Sequence, residues 1–116
     1  MNEDFLNNEE ESNEYETLIQ KFDSMLKSKE ISFFDVDDFE SAIEYYLDNN
    51  YLEKANEALE IAQDQHPNSL QIQIKYAEYL CYMGKLNKSL DLLLKVEQVE
   101  KSNEDVYLLI ASIYSQ

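Results

Sequence analysis

Residues 36–69 read VDDFESAIEYYLDNNYLEKANEALEIAQDQHPNS, and the way this stretch divides decides the fold. Phe39, Ala42, Ile43 and Tyr46 recur at helical intervals, and Ala55, Leu59 and Ala62 do so after the Asn49-Asn50 break. His66-Pro67-Asn68 closes the stretch with turn-forming and helix-stopping residues. The next stretch, 70–103, breaks at Met83-Gly84-Lys85 and again at Ser102-Asn103. Asn49-Asn50 and Met83-Gly84 lie 34 residues apart, as do Asn68-Ser69 and Ser102-Asn103. The breaks are therefore periodic. They predict helices over 36–49, 52–65, 69–83, 86–99 and 104–116, joined by connections too short for neighbours to be anything but antiparallel.

Upstream, Asn13 and Glu16 have capping-box spacing. Tyr15, Leu18, Ile19, Phe22, Met25 and Leu26 then follow at three- and four-residue intervals, which predicts an amphipathic helix over 14–28. Residues 1–12 are acidic, with isolated Phe5 and Leu6, and are expected to form a mobile tail. The pair Phe33-Phe34 is expected to plug the connection to the next helix. The expected organisation is a tail (1–12), a capping helix with its connection (13–35), and repeats over 36–69, 70–103 and, in part, 104–116.

A 34-residue helix–turn–helix period with these residue types resembles the tetratricopeptide repeat. That pattern places large residues at its fourth and seventh positions, a small one at the eighth and an aromatic at the eleventh. Its second helix carries small residues at the twentieth and twenty-seventh, a large one at the twenty-fourth and proline at the thirty-second. The first repeat has Phe39, Ala42, Ile43, Tyr46, Ala55, Leu59, Ala62 and Pro67 at these places, with the large–small order inverted at Ala42-Ile43. The second has Gln73, Tyr76, Ala77, Leu80, Ser89, Leu93 and Val96, and Lys101 where the proline would stand. The third has Tyr107, Ile110, Ala111 and Tyr114.

The resemblance implies an all-α, right-handed α-solenoid of antiparallel helix pairs, with the 14–28 helix as its N-terminal cap. Small residues (Ala55, Ala77, Ser89, Ala111) would let paired helices approach near the short end of the roughly 8–10 Å axis spacing. Most of the tyrosines and phenylalanines then serve as inter-helix filling. Helix 104–116 would offer Val106, Ile110, Ile113 and Tyr114 to a helix that the sequence does not supply. The resemblance therefore implies the N-terminal piece of a longer array, or a face covered by another chain.

In this family the first helix of each repeat lines a concave groove. The matching positions are Asp37, Glu40, Ser41, Glu44, Leu47 and Asp48, then Gln71, Ile74, Lys75, Glu78, Cys81 and Tyr82, then Asp105, Leu108, Leu109, Ser112, Ser115 and Gln116. Relatives that clamp a C-terminal carboxylate use cationic and amide side chains where this chain has Glu40, Glu44, Lys75, Asp105 and Leu109. That clamp is absent. A groove that is acidic at one end and apolar at the other (Ile74, Tyr82, Leu108, Leu109) suits a basic or amphipathic peptide. The expected function is a protein–protein interaction scaffold.

Composition supports this and narrows the alternatives. The chain has 116 residues, is 44% hydrophobic and carries a net charge of −16. That is enough apolar content for one packed core and too little length for two. Residues 1–66 hold 19 Asp and Glu against 4 Lys, and residues 67–116 hold 6 against 5, so the net is −15 and −1. Nucleic acid and anionic membrane are poor partners for such a field. The lack of arginine removes bidentate phosphate clamps, although many Lys and Asn with no Arg also match an AT-rich coding composition.

One histidine, one cysteine and one glycine leave no catalytic, metal or cofactor constellation in view, so neither enzyme activity nor a cofactor is expected. His66 reads as a turn residue and Cys81 as helix packing or groove lining. A lone cysteine and an acidic, non-apolar N-terminus fit a cytoplasmic location. Two other functions remain open: self-association through Val106, Ile110, Ile113 and Tyr114, and an acidic mimic of nucleic acid.

Overall fold

The computed structural model describes residues 3–116, with side chains from residue 11 onward. The described residues form six helices: α1 (Glu3–Ser28), α2 (Val36–Asp48), α3 (Leu52–Gln65), α4 (Leu70–Tyr82), α5 (Leu86–Val99) and α6 (Glu104–Tyr114). The chain is all-α, and each helix packs on its neighbours along the chain.

Local chemistry sets the ends. Asp35 accepts from the Asp38 amide at 2.8 Å, Ser69 from that of Ile72 at 3.3 Å, and Asn103 from those of Asp105 and Val106 at 2.9 and 3.4 Å. These three N-caps begin α2, α4 and α6 at a constant 34-residue interval. The turns obey the same interval. Asn50 (φ 60°) and Gly84 (φ 75°) both take the left-handed conformation, which glycine adopts freely and asparagine tolerates. The Asn50 amide donates to Leu47 O at 3.0 Å and that of Tyr51 to Tyr46 O at 2.7 Å. The matching Gly84 and Lys85 amides donate to Cys81 O at 3.0 Å and Leu80 O at 2.8 Å. The α3 and α5 ends match likewise, with His66 N on Ala62 O at 2.7 Å and Glu100 N on Val96 O at 2.8 Å. The backbone thus repeats every 34 residues, cap for cap and turn for turn.

One expectation is corrected at the N-terminus. Helix α1 begins at Glu3, not at residue 13, so it takes in most of the expected tail; residues 1 and 2 lie outside the described residues. Asn13 is an interior residue whose carbonyl accepts from Thr17 Oγ1 at 2.8 Å, rather than a cap. Acidic residues near a helix N-terminus complement its dipole, and glutamate is a good helix former, so no cap is needed at residue 13.

The core forms two clusters. Ile19, Phe22, Met25 and Leu26 of α1 pack with Phe39, Ala42, Ile43, Tyr46 and Leu47 of α2, with Ala55, Ala58, Leu59 and Ala62 of α3, and with Ile72. This packing makes α1 a cap on the first helix pair. Ile74, Ala77, Leu93, Val96, Val106 and Ile113 form the second cluster. The buried Tyr46 hydroxyl donates to Asp23 Oδ1 at 2.7 Å, where Lys54 Nζ also approaches at 3.4 Å. Burial first, and that carboxylate second, push the phenol well above its ordinary value.

The 29–35 connection is tied to the end of α3. Phe34 N donates to Gln65 Oε1 (3.1 Å), Gln65 Nε2 to Ser32 O (2.8 Å), and His66 Nε2 lies 2.7 Å from Phe34 O. Phe34 plugs as expected, stacking on Phe22 with centroids 4.3 Å apart. Phe33 does not, being 72% exposed and resting against the His66 ring. His66 is thereby more than a turn residue, since it holds the connection in place.

Candidate functional site

The even-numbered helices α2, α4 and α6 carry the positions expected to face one groove, and the structure gathers their charges. Glu40 on α2 is half-buried, and its carboxyl is raised above the usual 4.5, first by burial and then by Asp37, Glu78 and Glu44, with Lys75 pulling the other way. Glu78 on α4 is raised for the same leading reason, again opposed by Lys75 and reinforced by Glu44 and by Asp105 of α6. Carboxylates from three helices, far apart in sequence, therefore act on one another across a single face. Asp37, Glu44 and Asp105 are exposed. Lys75 is the lone cation among these residues, and its Nζ pairs with Glu78 Oε2 at 3.1 Å. The face thus keeps a negative excess.

The expected apolar end is only partly there. Leu108 is 67% exposed, Tyr82 is exposed at the end of α4, and Leu109 is half-buried. Ile74 is a correction: it is buried in the second core cluster with Val106, and so cannot line the groove. Leu47 is likewise buried. Both are apolar residues close enough to the inter-helix seam for the neighbouring helix to cover them, as burial of apolar area favours.

One contributor was hidden in the sequence. Tyr15 of α1, which the periodicity assigns to the helix's packed stripe, is 41% exposed and meets the Tyr45 ring edge-on at 6.0 Å. Its phenol is raised by burial first and then by Glu44 and Asp48, which sets it at the rim of the acidic face. A depression lined by Tyr15, Leu18, Lys21, Asp38 and Ser41 borders that rim. No sequence signal separates such a rim tyrosine from a core one, because Tyr15 shares the spacing of Ile19 and Phe22.

The face expected for self-association is also corrected. Val106 and Ile113 are buried and Ile110 is half-buried, so the side of α6 that carries them already packs in the second core cluster. Only Tyr114 of the four is exposed. Cys81 is half-buried, 3.2 Å from Ser89 Oγ, which itself donates to Ala77 O at 2.8 Å, so the thiol belongs to the α4–α5 packing.

Among the described residues, no helix is long and apolar enough to cross a membrane. No family model matches the chain, and no curated protein matches it.

Proposed function

We propose that the chain is a tetratricopeptide-type module that holds a basic or amphipathic polypeptide against the face made by α2, α4 and α6. The observation that carries this is the convergence of Asp37, Glu40, Glu44, Glu78 and Asp105 with one already-paired lysine. The 34-residue repetition of caps and turns supports the choice of scaffold, since stacked helix pairs present a continuous surface. Carboxylates steer a cationic segment, and the exposed Tyr82 and Leu108 supply apolar contacts that retain it.

Fluorescence anisotropy of a labelled Lys/Leu helical peptide, titrated at low and high salt, tests this. Binding weakens as salt screens the face, and Glu40→Lys with Glu44→Lys weakens it by about tenfold or more, since each reversal removes one attraction and adds one repulsion. Salt-independent affinity, or affinity unchanged by the double reversal, contradicts the proposal.

A further inference from the structure

The connection between α1 and α2 leaves half of its main chain unused. From Glu30 to Asp35 it contains neither turn nor bend. The groups that bond belong to alternate residues: Ser32 O and Phe34 N meet the Gln65 side chain, and Phe34 O meets His66. Ser32 N reaches only the Met25 sulfur, at 3.4 Å. In an extended chain successive residues turn their N–H and C=O to opposite sides. Ile31 and Phe33 therefore direct theirs away from α3, and none of these four groups has a partner among the described residues. Their side chains are open too, at 56% and 72%. The result is a short, unpaired strand-like edge, anchored along its other side by Gln65 and His66.

A groove of about 590 Å³ lies between this segment and α1, with Lys21, Ser24 and Ser28 on the helix side and Ser32 and Phe33 on the other. Cations gather here in an otherwise acidic half of the chain. Residues 1–66 hold four lysines, and three of them, Lys21, Lys27 and Lys29, stand on or beside the second half of α1. Lys27 follows Ser24 by three residues and so shares its side of the helix. Lys29 lies 3.6 Å from Glu57, but neither Lys21 nor Lys27 makes an ion pair among the described residues. Asp38 feels the Lys21 charge without pairing to it, and Glu30 is the carboxylate on the groove's lining. We propose that the Ile31–Phe33 edge binds an extended peptide of alternating apolar and acidic residues by strand addition. Two free donors and two free acceptors on alternate residues are the complement of one strand, which selects the extended form. The exposed Ile31 and Phe33 side chains receive the apolar residues, and Lys21 and Lys27 supply the counter-charge for the acidic ones. The site is independent of the α2–α4–α6 face, which favours the opposite charge.

Amide hydrogen exchange of the 116-residue chain with a synthetic alternating Glu/Val peptide tests this. At saturating peptide the Ile31 and Phe33 amides slow by about tenfold, the weight of one new main-chain bond, while Phe34, already bonded, changes little. A peptide N-methylated at alternate residues, and so stripped of the matching donors, binds about tenfold more weakly. Lys21→Glu also weakens binding by about tenfold and leaves the fold intact, because Lys21 is exposed and outside every ion pair described. Phe33→Pro weakens it more than Phe33→Ala does, since proline removes the donor as well as the ring. Binding that leaves Ile31 and Phe33 exchange unchanged, or equal affinity of the N-methylated peptide, overturns the proposal. So does a lack of detectable binding. Protection of the same amides that rises with protein concentration alone overturns it too, by seating a second copy on the edge.

Discussion

Helices α4 and α6 stand one 34-residue repeat apart and share a cap, a spacing and a central alanine, yet one is enclosed and the other half-open. Ala77 is fully buried and Ala111 exposed; Leu80 is 4% exposed and Tyr114 69%. A repeat pattern specifies which face of a helix is made for a neighbour. Burial, and with it the energetic weight of each position, comes only from the neighbour itself.

The largest consequence concerns Leu80 and Tyr114. Leu80→Ala removes a buried side chain and costs about 2–5 kcal/mol. Tyr114→Ala, measured by urea unfolding, costs no more than about 0.5 kcal/mol. Equal losses at the two sites would break the comparison.

The small residues give the next effect. Ala77→Leu forces added volume into the α4–α5 contact and destabilises by about 1–3 kcal/mol, while Ala111→Leu stays within about 0.5 kcal/mol in the same measurement.

The two matched turns sharpen the comparison further. An added Cβ at Gly84 meets nothing within 4 Å, so its requirement is the positive φ and not space. Gly84→Ala therefore costs about 1 kcal/mol, and Gly84→Asn less, because Asn50 holds the equivalent conformation. Thermal melts of the two variants check the order.

The smallest effect is electrostatic and sets the acidic face against the rest. The carboxyls of Glu40 and Glu78 are raised in the folded chain, chiefly by burial, so the fold binds their protons more readily than the unfolded chain does. The contribution of these two carboxyls to stability therefore increases as pH falls from neutrality toward the carboxylate range, and the Glu40→Gln/Glu78→Gln variant shows a flatter profile. Basic peptide binds more weakly over the same range as the face loses charge.

Much of the fold was legible because its punctuation is chemical. Asn50 and Gly84 turn the chain at the expected Asn49-Asn50 and Met83-Gly84 breaks, and Asn103 caps α6 at the Ser102-Asn103 break, whereas Ser69, expected inside a helix over 69–83, is the cap before α4. The start of helix α1 is not legible, because Asn13-x-x-Glu16 has the spacing of a cap without acting as one, and because glutamate-rich helix carries no apolar period. The acidic face was legible in Glu40, Glu44, Glu78 and Asp105, charged residues for which the surface is the ordinary place. Its apolar end was not, because Ile74 and Leu108 occupy equivalent positions and only the presence of later helices separates buried from exposed. Tyr15 stayed hidden for the same reason, since its periodicity is that of its packed neighbours.

The central claim is that α2, α4 and α6 share one polypeptide-binding face. Amide chemical-shift mapping of the labelled chain with an unlabelled Lys/Leu peptide tests it most directly. Perturbations are expected to concentrate at Glu40, Glu44, Glu78, Tyr82 and Leu109, with α3 and α5 silent on their outer sides. Perturbations centred on α3 and α5, or none at saturating peptide, would contradict it.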